Sequence, residues 1–282
     1  MILLHSMTMQ IDRDSNHNAD GGRKSLSSTL PEGLLVDRNW LNLNGFNRPL
    51  VDYYLRSGGL VAVARGVYRR PGPALKWQHV VYSFQMMGYA VHVGGRTALD
   101  HQGMAHYLPM GREVIHLYSN KKLPTWLNSI IDNTAFEGHY RSLFLTDDET
   151  LGFTSLPFGT WDWPLKYATR ERALLEYMDD LPNKADLDAA DKYMESAATL
   201  RPGLVMALLK ACTRVKTKRL FFWLAERHRP AWFKKLDVSA INLGSGKRVI
   251  YKGGKLNARY QITVPVEYTD GEDMNGTRQP LF

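Results

Sequence analysis

The chain has 282 residues, of which 44% are hydrophobic, and a formal net charge of +8 at neutral pH. This length suffices for two globular domains. Its apolar runs are all shorter than the roughly 20 residues that cross a bilayer, so we expect no membrane segment and no membrane partner. Cys212 is the only cysteine. A single cysteine excludes an intrachain disulfide, disfavours a thiolate metal cluster and suits a reducing cytoplasm. We also expect no cofactor.

The charges are unevenly distributed along the chain. Residues 145–200 hold twelve acidic and five basic side chains, whereas residues 210–259 hold fourteen basic and two acidic ones. This asymmetry concentrates the positive field on particular surfaces and favours a polyanionic partner such as nucleic acid.

Both ends of the chain are polar. Residues 1–27 predict a disordered extension, and residues 269–282 predict a flexible tail. The first residues lack a basic region and a small-residue cleavage site, so we do not interpret them as a signal peptide.

Residues 28–72 contain the clearest structural pattern. Asp37 and Asn47 stand where helix N-caps are expected, and Gly45 ends the first of the two short helices that they begin. Pro49 is compatible with the first turn of the second helix. The apolar side chains of that helix recur at the spacing of one buried face, which leaves arginines on the other.

A basic hairpin follows the second helix. Two β-rich runs, 60–64 and 67–70, are joined by Arg65-Gly66. Helix, turn, helix and hairpin together predict a winged helix-turn-helix, with the second helix in the major groove and the hairpin on phosphates. The same arrangement also serves as a protein-docking module, but its clustered arginines favour DNA. The predicted contacts are Asn47, Arg48, Tyr53, Arg56, Arg65, Arg69 and Arg70.

After the Pro-Gly-Pro break at 71–73, residues 74–268 predict a larger domain that mixes helices and strands, which gives an α+β fold class overall. Helices are expected over 74–87, 97–104, 124–131, 169–180, 186–200, 201–212 and 217–229. Strands are expected over 91–93, 113–118, 140–145, 248–252 and 255–264.

The motifs of known catalytic sites do not fit. The Gly244–Arg248 segment, GSGKR, suggests a phosphate-binding loop, but Ile241 and Arg248 replace a required glycine and a required serine or threonine. His101 and His106 are five residues apart, which does not place them on one helix face. We therefore expect no catalytic residues, no metal ligands and no enzymatic activity.

A basic stretch with interleaved aromatic residues begins at Lys210. The aromatic residues suit the buried face of an amphipathic helix. The bases form either a solvated rim or a polyanion site, and the sequence leaves both possibilities open. They are Lys216, Lys218, Arg219, Lys234, Lys235, Lys247, Arg248, Lys252 and Lys255.

Several of these segments together resemble the AbiE-type abortive-infection antitoxins of type IV toxin–antitoxin systems. They are RGVYRRPG at 65–72, GGRTALDHQGMAHYL at 94–108, LEYMDDLPN at 175–183, and the segments 201–212, 215–237 and 243–265. The resemblance implies an N-terminal winged domain that represses its own operon at inverted repeats in the promoter. It also implies a C-terminal antitoxin domain that counteracts a nucleotidyltransferase-like toxin in phage defence, without requiring direct contact. Arg38 joins the expected DNA contacts through this resemblance.

Two rival functions remain open from the sequence. One is a plain transcriptional regulator whose C-terminal domain senses a ligand or oligomerises, and the other is a nucleic-acid enzyme that uses the basic region. We expect a monomer in solution that binds operator DNA in more than one copy.

Overall fold

The computed structural model describes residues 25–105, 111–159, 162–183 and 185–269. Within them the protein has the predicted α+β class, with helices and antiparallel or mixed sheets in both halves. Residues 1–24 of the expected N-terminal extension lie outside the described residues. So do His106 and residues 270–282 of the expected C-terminal tail.

The N-terminal module (residues 25–70) follows the predicted order of helix, turn, helix and hairpin. Its three strands pair antiparallel in the order β1–β3–β2. Its elements are α1 Leu26–Thr29, β1 Val36–Asp37, α2 Arg38–Leu43, α3 Arg48–Arg56, β2 Val61–Ala64 and β3 Val67–Arg69.

Local chemistry explains where the helices of this module begin and end. The Asp37 carboxylate accepts a hydrogen bond from the Trp40 amide at 2.7 Å and caps α2. The Asn47 side chain accepts one from the Leu50 amide at 3.1 Å and caps α3. Between the two helices, Gly45 has a φ of 88°, a left-handed conformation that glycine adopts without steric cost.

The body (residues 74–269) is organised around a five-stranded mixed sheet of order β6–β5–β4–β8–β7. Strands β5 and β6 are parallel, as are β4 and β8, whereas β4–β5 and β7–β8 are antiparallel pairs. The strands are β4 Val91–Val93, β5 Glu113–Ser119, β6 Thr134–His139, β7 Phe153–Phe158 and β8 Trp163–Ala168.

Helices pack on this sheet, and a small hairpin lies near the C-terminal end of the body. Helix α6 contacts both α5 and α9, so it lies at the centre of the helical layer. The helices are α4 Trp77–Met86, α5 Gly95–Leu99, α6 Arg170–Asp180, α7 Leu187–Ser196, α8 Pro202–Ala211 and α9 Val215–His228; the hairpin pairs β9 Lys255–Asn257 with β10 Ile262–Val264. Among the described residues, we find no helix that is both long and apolar enough to cross a membrane.

Two predicted strands are wrong, and a third, predicted over 255–264, is divided into the two strands of the β9–β10 hairpin. Residues 140–145 follow β6 as an irregular segment, in which Phe144 makes an isolated bridge to Cys212. Residues 248–252 are likewise irregular, with an isolated bridge from Arg248 to Ile262. Phe144 and Ile250 are buried in the main core whereas Leu145 and Val249 are exposed, so the apolar alternation marks a buried and an exposed side of each segment and does not reflect ladder pairing.

The module packs directly on the body. Trp163 of β8 belongs to the apolar cluster of the module, together with the half-buried Tyr82 and Phe158. In return, Leu35 and Val67 of the module belong to the main core of the body. Residues 71–73 therefore connect two parts that share buried apolar surface.

Candidate functional site

Helix α3 has the predicted division into a buried and an exposed face. Val51 is fully buried, whereas the Arg48 side chain is 85% exposed and Tyr53 is 45% exposed. Arg56 is exposed at the last turn of the helix. An exposed helix face with two guanidinium groups and a phenol is chemically suited to base edges and phosphates.

The two exposed arginines of α3 make only weak contacts within the protein. Arg48 Nε lies 4.0 Å from Asp52 Oδ2, and Arg56 Nε donates to the Asp52 carbonyl at 3.2 Å. The carbonyl oxygen of the Asn47 side chain is already used as the helix cap. The arginines can therefore reorient toward a ligand, because exposed ion pairs stabilise a protein by at most about 1 kcal/mol.

The hairpin contains two kinds of arginine. Arg65 is exposed at the turn, beside Gly66, whose φ is 77°. Arg69 donates to the Pro73 carbonyl at 2.8 Å and to the Gly72 carbonyl at 3.2 Å. Its guanidinium therefore holds the chain as it leaves the hairpin.

Arg70 and Arg38 are engaged inside the module. Arg70 donates to the Leu30 carbonyl at 3.2 Å and lies 3.7 Å from the Glu32 carboxylate, which fastens the hairpin to α1. Arg38 donates to the Tyr68 hydroxyl at 3.3 Å, with its guanidinium 5.5 Å from the ring centre. Among the eight predicted DNA contacts, Asn47, Arg48, Tyr53, Arg56 and Arg65 are thus exposed, and the Asn47 side chain caps α3.

The predicted basic region of the body likewise contains both exposed side chains and side chains engaged inside the protein. Six of its nine members are exposed: Lys234, Lys235, Lys247, Arg248, Lys252 and Lys255. Four of these, the basic loop (Lys247, Arg248, Lys252 and Lys255), lie within a single short segment that ends at β9.

The expectation of a basic surface is wrong for Lys218 and Arg219, which are 7% and 0% exposed. Residues 242–261 fold back over this side of α9 and cover both side chains. Arg219 donates to the carbonyls of Leu243, Gly244, Gly246 and Gln261 at 2.7–3.2 Å. Lys218 donates to the Asn242 carbonyl at 3.2 Å. Both cations hold the loop that leads into the exposed bases.

Lys216 lies in a cavity and not on an open surface. Its ammonium group donates to the carbonyls of Asp179 and Leu181 at 2.5 and 2.7 Å. Burial lowers the pKa of Lys216, although the nearby carboxylates oppose that shift.

The cavity, of about 470 Å³, lies between α6 and the β4–β5–β6 side of the sheet. His92, Tyr118 and His139 are register neighbours on these three strands, and their rings stack in a row. His92 Nε2 lies 2.8 Å from Glu176 Oε1 on α6. Asp180 Oδ2 accepts from the Tyr118 hydroxyl at 2.8 Å and lies 2.9 Å from His139 Nδ1.

Burial shifts the pKa values of several ionisable side chains in this row and beside it. Burial lowers the pKa of His92, and it lowers the pKa of His116, beside His139, to about 4. Burial also raises the pKa of Tyr118, and the Asp180 charge adds to that shift. Burial opposes ionisation of Glu176, yet His92 and Arg172 hold its pKa below the usual value.

We did not predict this row from the sequence. Its signals are one histidine in each of β4, β5 and β6 and paired acids at the end of α6, and both patterns are common without function. Within the described ranges, no three His, Cys, Asp or Glu side chains are grouped so that they could hold a metal ion.

These features define a two-part α+β protein with an arginine-bearing helix–turn–helix and hairpin on a larger mixed body. Residues 22–110 match the family model described as "Transcriptional regulator, AbiEi antitoxin N-terminal domain". Residues 112–265 match the model described as "Transcriptional regulator, AbiEi antitoxin, Type IV TA system". The chain belongs to the AbiEi antitoxin family of transcriptional regulators from type IV toxin–antitoxin systems, which confirms the resemblance.

A solved structure shares the fold. The RV2827C protein from Mycobacterium tuberculosis superposes with a TM-score of 0.51 at 14% identity, over 81% of this chain and 85% of that one. The chain has no match among curated proteins. The two family models meet at residues 110–112, whereas the domain boundary predicted at residues 72–74 stays a prediction.

Proposed function

We propose that the protein is an autoregulating antitoxin whose N-terminal module is a winged helix-turn-helix that binds inverted repeats in its own promoter. The observation that carries the proposal is the set of projecting side chains, Arg48, Tyr53, Arg56 and Arg65, on one helix face and one hairpin tip. Membership of a family of transcriptional regulators supports it. The body then counteracts a nucleotidyltransferase-like toxin encoded beside it, without a catalytic reaction of its own.

In this arrangement α3 enters the major groove. Arg48, in its first turn, is suited to reading a base edge because guanidinium groups bind guanine in a bidentate manner. Arg65, at the hairpin tip, is suited to a phosphate. Each half of an inverted repeat takes one copy, so a monomer in solution binds its operator in more than one copy, in the cytoplasm.

Fluorescence anisotropy with the native promoter fragment and a scrambled fragment tests operator binding. Arg48→Ala and Arg56→Ala should each weaken operator binding by about 1–3 kcal/mol if the side chain reads a base. Lys122→Ala, which removes an exposed charge from the body, is the matched control and should bind normally. Unchanged operator affinity in both arginine variants would contradict the proposed docking.

Co-expression with the neighbouring toxin tests the antitoxin function separately. The double variant R48A/R56A should still rescue growth while it fails to repress a reporter driven by the promoter. Neutralising the basic loop with four Lys/Arg→Gln changes should weaken rescue if that loop acts in antitoxicity. A protein that represses the promoter but never rescues growth would instead be a plain regulator.

The rival of a ligand-sensing regulator draws support from the cavity beside α6. Operator affinity that changes with a small molecule, in the absence of any rescue, would favour that rival. The second rival, a nucleic-acid enzyme, requires metal-dependent cleavage of DNA or RNA by the purified protein.

A further inference from the structure

The cavity between α6 and the β4–β5–β6 side of the sheet takes no part in the proposed operator binding. Its volume of about 470 Å³ is within the range of small-molecule sites, roughly 300–1,000 Å³. We propose that it binds a small organic anion that also carries hydrogen-bond donors. The argument rests on the groups at its mouth and along its α6 wall.

Two cations provide the anion-binding end. Arg141 is exposed at the cavity, where it has no hydrogen-bond or ion-pair partner among the described residues. Lys216 uses two of its three ammonium protons on the Asp179 and Leu181 carbonyls, which leaves one proton for a ligand. Arg141 and Lys216 are close enough that the Arg141 charge contributes to the lowered pKa of Lys216, after burial. An anion between them would relieve this repulsion and accept charge-assisted hydrogen bonds from both.

Two carboxylates provide acceptors for the rest of the ligand. Asp180 Oδ2 is occupied by Tyr118 and His139, but Oδ1 has no partner among the described residues. Asp179 accepts from the Thr217 hydroxyl through Oδ1 at 2.8 Å, and the structure gives Oδ2 no partner within the described ranges. Both residues line the cavity. Free carboxylate oxygens beside an anion site select a ligand whose other groups are ammonium, amino or hydroxyl donors.

The wall behind these groups is preorganised. The Tyr118 and His139 rings stack with centres 4.3 Å apart, and the His92 and Tyr118 rings with centres 5.6 Å apart. Arg172 donates to Glu176 at 2.8 Å, so the deeper charges are paired without a ligand. A ligand would therefore meet fixed acceptors and two available cations, which reduces the entropy lost on binding.

Isothermal titration at constant ionic strength tests the proposal with two phosphate monoesters. O-phosphoethanolamine carries both an anion and an ammonium group, whereas ethyl phosphate has a similar size and lacks the ammonium. We expect one site per chain and about tenfold weaker binding of ethyl phosphate. Arg141→Gln should weaken both probes about tenfold, whereas Lys122→Gln, an equal charge change at an exposed position outside the cavity, should bind like the natural protein.

Circular dichroism and urea denaturation test whether the Arg141→Gln protein folds. We expect that it does, because Arg141 is exposed. Absence of saturable binding by either probe would overturn the proposal, as would equal losses in the Arg141→Gln and Lys122→Gln proteins. Equal affinities for the two probes would refute the role of Asp179 and Asp180 as acceptors. The titration uses no DNA, so its outcome does not depend on operator binding. A failure of the proposed operator binding can therefore be distinguished from a failure of ligand binding in the cavity.

Discussion

The backbone amide of Leu35 donates a hydrogen bond to the Ser83 hydroxyl at 2.8 Å, and both residues are fully buried. The Ser83 hydroxyl in turn donates to the His79 carbonyl at 2.6 Å within α4. This short relay joins the chain just before β1 to the first helix of the body. It adds a buried hydrogen bond to the apolar contacts that hold the module on the body.

Ser83→Ala should lower the free energy of unfolding by about 1–3 kcal/mol, because the Leu35 amide would be left buried without an acceptor. Urea denaturation followed by circular dichroism measures the loss. Ser57→Ala is the control, since Ser57 is exposed at the end of α3 and should change stability by less than about 0.5 kcal/mol. Equal stabilities of the two variants would show that the relay contributes little to packing the module on the body.

The hairpin arginines should differ in how they affect the salt dependence of DNA binding. Arg65→Ala should reduce the slope of log affinity against log salt concentration by about one, because an exposed phosphate contact is lost. Arg70→Ala should leave that slope unchanged and lower the free energy of unfolding, because Arg70 holds the Leu30 carbonyl and lies near Glu32. Anisotropy titrations over a range of salt, together with urea denaturation, separate the two effects.

The control for this pair is Lys122→Ala, which should alter neither the slope nor the stability. A reduced slope for Arg70→Ala would show that its guanidinium leaves the module to bind phosphate. An unchanged slope for Arg65→Ala would show that the hairpin tip points away from DNA.

The module was predictable because its signals are local. The caps Asp37 and Asn47, the left-handed Gly45 and the Arg65-Gly66 turn each specify conformation within a few residues. The helices of the body were predictable for the same reason, since apolar spacing marks α6, α7, α8 and α9 to within a few residues.

Strand pairing and the fate of charged side chains were harder to predict. Strands β7 and β8 contain Pro157 and Pro164, which the sequence presents as strand breakers, yet these prolines face each other across the β7–β8 pair. The burial of Arg219 depends on residues 242–261 folding back over α9, a long-range contact that helical periodicity does not encode. The cavity is equally non-local, because α6 and strands distant in the chain build it.

Stability should decrease between pH 6.5 and 4 through His116. Burial and the neighbouring His139 lower the pKa of His116 from 6.5 to about 4 in the folded protein. Over this range the unfolded chain binds a proton that the folded chain does not, so the free energy of unfolding falls as the pH falls. The loss begins near pH 6.5, levels off near pH 4 and amounts to at most about 3 kcal/mol.

His116→Gln should therefore make the free energy of unfolding less dependent on pH in this range. His101→Gln, at an exposed position, is the matched control and should retain the natural pH dependence. Urea denaturation at half-unit pH intervals gives the free energy of unfolding of each protein as a function of pH. The slopes of these curves are compared, so a constant difference in stability between the variants does not affect the result. Parallel curves for His116→Gln and the natural protein would contradict the prediction.

Arg219 should be among the most sensitive positions of the body to substitution. Its guanidinium donates to carbonyls on either side of the loop that leads into Lys247 and Arg248. Arg219→Met keeps much of the side-chain volume but leaves buried carbonyls without donors, so the free energy of unfolding should fall by roughly 3 kcal/mol or more. Arg219→Lys should recover only part of this loss, because an ammonium group lacks the planar fork that serves several acceptors.

Urea denaturation measures these losses, and limited proteolysis at residues 244–248 tests whether the loop has been released. Lys252→Met removes an exposed charge from the same segment and is the matched control, with little expected change in stability. A stable Arg219→Met protein with an intact loop would show that packing alone holds residues 242–261 on α9. The expected instability also determines how antitoxicity should be tested, because a charge reversal at Arg219 would unfold the body, whereas changes in the basic loop would report on surface contacts alone.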